Sequence, residues 1–325
     1  MASTDVVPRA RRLPGTGVIE GILHSLGIRG RTLVIAIPFL WLLLFFLVPF
    51  LIVLWVSTAF VVIEQPPYTH QVDGVFTLNI GDSYGRLISD SLYIKAYINS
   101  LIVASVSTIL CLVIAYPLAY GMARCQGSTR NILLMLVILP FWTSFLIRVY
   151  AWIGLMKNNG LINATLLKID AFLTTYFGID LMSGPLTMMN TNFAVYLGIV
   201  YSYLPFMILP LYANLERLDV DLLDAAADLG ARRWQVFLDV TLPLSRAGIV
   251  GGCLLVFIPA VGEFTIPALL GGADTLMIGR VLWDEFFISR DWPVASAVSV
   301  VLLLLLVVPI MWFQHVQGRE QEARA

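Results

Sequence analysis

Six runs of about twenty apolar residues decide what this chain can fold into. They cover 33–57, 97–118, 133–155, 193–212, 248–269 and 294–313. A helix of roughly 20 residues is what crosses a hydrocarbon layer of about 30 Å. No water is available there, so each crossing segment must satisfy its own backbone groups, which a helix does. Composition agrees: 59% of residues are hydrophobic and 13% charged, against about half and about a quarter in soluble domains. The expected fold is an all-α integral membrane protein with six transmembrane helices and one domain. The divisions are 1–32 (an N-terminal segment), 33–315 (the six-helix domain) and 316–325 (a tail). The first run is too long for a signal-peptide core and lacks a small-residue cleavage site, so it is read as an uncleaved helix.

Lys and Arg in the loops orient the bundle. Arg9, Arg11, Arg12, Arg29 and Arg31 precede the first run. The even number of spans puts Arg124, Arg130, Arg217, Arg232, Arg233, Arg246, Arg319 and Arg324 on that same side. That makes thirteen cations against six opposite: Arg86, Lys95, Lys157, Lys168, Arg280 and Arg290. Both termini are therefore expected in the cytoplasm. Before the first run, Val18, Ile19, Ile22, Leu23 and Leu26 recur at helical spacing. They fit either a short helix lying on the inner membrane surface or a basic tail without structure.

The loop between the fourth and fifth runs carries the sequence "DAAADLGARRWQVFLDVTLPL" from Asp224 to Leu244. Asp219 or Asp221 can cap a first helix whose apolar face is Leu222, Ala225, Ala226 and Leu229. Gly230 permits a bend. Trp234, Phe237 and Leu238 mark a second helix, which Pro243 is expected to end before the next span. Small side chains at Ala225, Ala226, Ala227 and Ala231 leave a narrow ridge suited to a groove on another protein.

This loop resembles the "EAA" loop of ABC importer permeases, with Asp224 in place of Glu and Val240 in place of Ile. "LPFWTSFLIRVYAW" (139–152), "FIPAVGEFTIPALLGG" (257–272), "MIGRVLW" (277–283) and "RDWPVASAV" (290–298) are similar to the permeases of polyamine importers, those for putrescine in particular. The resemblance implies a coupling helix, within 219–243, that docks on an ATPase through Asp224, Ala225, Ala226, Gly230 and Ala231. It further implies a second homologous permease, two ATPase copies and a periplasmic polyamine-binding protein as partners, in a bacterial inner membrane.

The chain has no motor of its own. A Walker A loop needs Gly-Lys-Ser/Thr, and Lys95, Lys157 and Lys168 follow Ile94, Met156 and Leu167. "GDSYG" (81–85) matches a nucleophile elbow, yet the only later histidine, His315, falls on the opposite side of the membrane. Cys111, Cys125 and Cys253, with His24, His70 and His315, have no metal-binding spacing. A net charge of -1 gives no reason to expect nucleic acid. No catalytic residue, metal or cofactor is expected.

Arg148 and Glu263 are the charges deepest in apolar sequence. Such residues usually face a cavity or a partner. They are candidates for an intramembrane ion pair. Glu263, beside the helix-loosening Pro259 and Gly262, is alternatively a lining residue for a polyamine. Trp142, Tyr150, Trp152, Tyr201 and Tyr203 are candidates for cation–π contacts along that path. Asp274, Asp284, Glu285 and Asp291 are expected at the outer side, facing a binding protein, cations or solvent. The competing reading is an ion-coupled secondary transporter, which should show related halves with paired broken helices. No such repeat is visible.

Overall fold

In the computed structural model, residues 30–179, 182, 184–272 and 275–322 are described, with side chains from 34 to 308 outside those gaps and at 310 and 311. The possible surface helix at 18–26, the cations before Gly30, Asp274 and the side chain of His315 lie outside them. The chain divides into two compact units, Met1–Val56 and Ser57–Ala325.

The described part of the first unit is one apolar helix: α1 (Gly30–Leu42), a π turn (Leu43–Leu47) and α2 (Val48–Val56). Its large side chains are exposed within the unit, Val34 by 73% and Phe46 by 63%. A helix apolar all round is stable only where the solvent is itself apolar.

The second unit opens with two small antiparallel pairs. β1 (Phe60–Val61) pairs with β2 (Tyr68–Thr69), and β3 (Gln71–Val72) with β4 (Val75–Phe76). Asp73 and Gly74, both at positive φ, form the two-residue turn between β3 and β4, as a tight hairpin requires. Helices follow: α3 (Ile80–Ser89), α4 (Ser91–Arg124), α5 (Gly127–Ile138), α6 (Phe145–Met156), α7 (Leu161–Phe177) and α8 (Asn192–Glu216). After these come α9 (Asp221–Asp228), α10 (Arg233–Val236), α11 (Leu242–Leu244), α12 (Arg246–Val261), α13 (Thr265–Leu270), α14 (Ile278–Asp284) and α15 (Trp292–Glu322).

The core is α4, α8 and α12 packed on one another. Along α4, Ala96, Ser100, Ala104, Ser107, Cys111, Ala115 and Ala119 are fully buried. Their spacing of three or four puts them on one face, where small side chains let helices approach closely without help from water. On α12, Gly248 faces Asn214 and the Pro210 carbonyl, and Gly252 faces Met207. A Cβ at 248 would meet the Asn214 Cβ at 2.7 Å and the Pro210 carbonyl at 3.1 Å, and one at 252 the Met207 sulfur at 2.7 Å and its carbonyl at 3.2 Å, so glycine sets the closeness of α8 to α12.

The expected spans are not six unbroken helices. Val34–Val56, Ser91–Arg124 and Asn192–Glu216 are long and apolar enough to cross alone. The third run breaks at Thr143 and Ser144, both extended, and the helices on either side differ in direction by 92°. Pro140 is the second residue of a 3-10 turn, Leu139–Trp142, and Thr143 closes it through its N–H and hydroxyl to the Pro140 carbonyl. The fifth run breaks at Gly262–Phe264, between Gly262 at the end of α12 and Pro267 in the first turn of α13. The sixth run lies within α15, which is continuous from Trp292 to Glu322.

Pro243 also behaves differently from expectation. The helix passes through it and breaks at Ser245, where the direction changes by 64°. A π turn at Phe237–Thr241 precedes Pro243 and relieves the normal ladder at that point.

Candidate functional site

The loop after α8 is built to present a short helix. The Asp219 side chain accepts from the Asp221 N–H at 3.1 Å, α9 runs for two turns, and Gly230 ends it at φ +86°. The Gly230 N–H bonds to the Ala227 carbonyl at 2.9 Å and the Ala231 N–H to that of Ala226 at 3.1 Å. These two bonds make a Schellman stop, which favours glycine at this position. Space around Gly230 is open, so it is backbone conformation that excludes other residues. Leu222 and Leu229, half of the expected apolar face, are 50% and 90% exposed. Asp224 and Ala225 are exposed, while Ala226 and Ala231 are half-buried. Among the described residues, none covers Leu222 or Leu229.

Sequence reasoning missed what holds the loop down. Phe237 meets the rings of Tyr116 and Tyr120 edge-on at 5.5 and 6.4 Å. The hydroxyls of Tyr116 and Ser245 lie 2.9 Å apart, and Arg130 pairs with Glu216 at 2.7 Å. Tyr116 and Tyr120 are four apart near the loop end of α4, a spacing that pointed to a shared face.

A second site lies where the broken helices meet. A cavity of about 500 Å³ is lined by residues of α6, α8, the end of α12 and the 262–265 break, including Arg148, Tyr203 and Glu263. The expected ion pair is not formed. Glu263 accepts from the Tyr203 hydroxyl at 2.5 Å and from the N–H groups of Thr265 and Ile266 at 2.9 and 3.3 Å. It thereby caps α13, whose first N–H groups would otherwise be stranded. Arg148 instead lies against Phe141 and Phe145, 5.7 to 6.0 Å from their centroids. Its Nε and Nη1 are enclosed without a hydrogen-bond partner.

The aromatic candidates are dispersed. Tyr203 binds Glu263, Trp152 and Tyr201 stack edge-on at 5.3 Å, and Trp142 and Tyr150 are exposed by 74% and 59%. Phe141, Phe145 and Phe206 line the cavity and were missed.

Of the acids expected at the outer side, Asp291 and Glu285 are engaged within the chain. Asp291 binds Arg86 at 2.7 Å and caps α15 through the Val294 N–H. Burial works against the Arg86 charge, but the hydrogen bond and charge of Asp291 outweigh it and raise the pKa. Glu285 accepts from Tyr93 at 2.7 Å, and Asp284 lies 4.0 Å from Arg280. Among the described residues, no group of His, Cys, Asp or Glu is arranged to hold a metal ion.

A profile of the family described as "Binding-protein-dependent transport system inner membrane component" matches residues 115–320. The chain is 42% identical over 280 residues to the spermidine/putrescine transport system permease protein PotB of Haemophilus influenzae, covering 86% of this chain and 91% of that one. Identity to the PotB of Escherichia coli is 40% over 266 residues, covering 82% and 90%. The inner membrane ABC transporter permease protein YdcU of Escherichia coli is 31% identical, over 90% and 91%. Among solved structures, a bacterial ABC transporter involved in the import of the acidic polysaccharide alginate matches with a TM-score of 0.65. At 16% identity, over 94% of this chain and 97% of that one, this is a likeness of fold.

Proposed function

The chain belongs to the family of binding-protein-dependent transport system inner membrane components, and from that premise we propose that it is the permease subunit of an ATP-driven polyamine importer. It forms half of the translocation pathway and couples to a separate ATPase. The observation that carries this reading is the helix Asp221–Asp228, closed by Gly230 with its apolar face uncovered. Identity to permeases named for spermidine and putrescine supports the substrate class.

The partners in this reading are a second homologous permease, two copies of an ATPase and a periplasmic polyamine-binding protein. The protein is a multi-pass component of the inner membrane with six crossings and both termini in the cytoplasm. Asp224, Ala225, Ala226, Gly230 and Ala231 form the surface that meets the ATPase. Movement there is passed through Phe237 and the Ser245 bend to α12, a rod of about 24 Å. The far end of α12 adjoins Glu263, so ATP-driven closure of the ATPases reaches the cavity mechanically. Glu263, with Tyr203, is a lining residue of the path as well as a cap. Trp142, Tyr150, Trp152 and Tyr201 supply ring faces along it.

The test is uptake of radiolabelled putrescine and spermidine by the complete importer and its binding protein in liposomes. Uptake is expected to require ATP and to collapse in Gly230→Asp, because a side chain at φ +86° forces the stop to reshape. The ratio of the two rates ranks the substrates. Uptake indifferent to ATP and to Gly230→Asp would replace this reading with the ion-coupled secondary transporter.

A further inference from the structure

We propose that Arg148 is one half of a salt bridge whose carboxylate belongs to the second permease subunit and enters the cavity from across the pathway. The inference rests on the reading of this chain as half of a paired permease.

Three observations lead to it. First, Nε and Nη1 of Arg148 are enclosed and have no hydrogen-bond partner. Two guanidinium donors enclosed without an acceptor are unfavourable, and two phenylalanine faces near 6 Å compensate little. Second, Arg148 stands in the first turn of α6, where its own N–H bonds to the Ser144 carbonyl. The positive end of that helix adds to the cost of a cation. Third, the carboxyl group in the same cavity is already engaged. Both Glu263 oxygens accept hydrogen bonds, from Tyr203 on one side and the start of α13 on the other. The lone chain leaves a cation waiting for an anion.

The kind of anion follows by exclusion. Cargo made of ammonium groups has the wrong sign. A lipid phosphate sits too shallow. Tyr203 lies eleven residues from the start of α8 and thirteen from its end, or about 16 and 20 Å along the axis. The cavity is therefore near the middle of a core about 30 Å thick. A protein carboxylate remains.

Such a bridge has two consequences. It cancels a positive charge beside a passage for cations. It also favours the acid-bearing partner over a second copy of this chain, because two unpaired arginines would repel.

In the complete importer, Arg148→Glu is combined in turn with single Asp→Arg or Glu→Arg changes in the partner's spanning helices. Arg148→Glu alone is expected to lower copurification of the two permeases more than about tenfold, as loss of a desolvated charge pair does. One partner reversal should restore both copurification and uptake, and a subunit that had merely misfolded would not respond to a change in its neighbour. Rescue by no partner position, or only by Glu263→Arg in the same chain, would overturn the proposal. So would an Arg148→Met importer that assembles and transports like the wild type. Rescue of assembly in an importer whose wild type shows no ATP-driven uptake would leave the bridge standing and overturn the functional reading instead.

Discussion

Removing the Glu263 side chain strands three donors at once: the Tyr203 hydroxyl and the N–H groups of Thr265 and Ile266. Buried donors without acceptors each cost about 1–3 kcal/mol. Glu263→Ala is therefore expected to destabilise the assembled importer by about 3 kcal/mol, whereas Glu263→Gln keeps an acceptor for α13 and should cost about 1 kcal/mol. Thermal unfolding in detergent reads the difference, and an alanine variant that unfolds with the wild type would remove the capping role. If Glu263 also lines the path, Glu263→Gln loses uptake beyond what its small stability cost explains. Arg148 and Glu263 were legible in the sequence as charges in apolar runs. Their separation was not, because it depends on where two helices break. Proline alone does not mark such a break: Pro205 and Pro210 lie inside the continuous α8, whereas Pro267 opens the new helix α13. Of the two residues expected to loosen the helix, Pro259 sits inside α12 and Gly262 ends it, at the break itself.

At the scale of the element, the contact of α8 with α12 depends on absent side chains. Gly252 has the Met207 sulfur and backbone as its neighbours, and Gly248 has Asn214 and the Pro210 carbonyl. A backbone carbonyl cannot swing aside as a side chain does. Gly248→Val is expected to part the helices and cost about 2–3 kcal/mol by overpacking. Gly251, one position from Gly252 with open space around it, should accept alanine with a change of under about 1 kcal/mol. Equal effects at 248 and 251 in detergent unfolding would contradict the packing account. Element existence was readable because apolar length is a property of the run itself. Element continuity was less so. In the third run the break is written in Pro140, Thr143 and Ser144, which a hydropathy window averages away. At the loop the reverse occurred: Pro243 was read as a stop, while the π turn before it carried the helix onward to Ser245.

Across the molecule, the 92° bend decides how the chain is threaded. Gly127–Trp142 is about 24 Å of helix, most of the way across a core of about 30 Å. The pair α6–α7 then runs crosswise instead of continuing. With the turn into α5 on the cytoplasmic side, Lys157, Asn158 and Asn159 after α6 should face the outer side. The excess of Arg at 124 and 130 agrees with that direction. Ser128 and Asn159 are both exposed, and single cysteines there can be compared once Cys111, Cys125 and Cys253 have been replaced. In intact bacteria made permeable only at the outer membrane, a membrane-impermeant maleimide should label Asn159→Cys. Ser128→Cys should react only after the inner membrane is opened. The reverse pattern would invert the whole bundle and put the helix Asp221–Asp228 out of reach of any cytoplasmic ATPase. Labelling of both from outside would mean that residues 127–177 do not cross the membrane. Either result would sink the coupling mechanism independently of the cargo, because a lever between ATPase and cavity works only if its two ends face opposite sides.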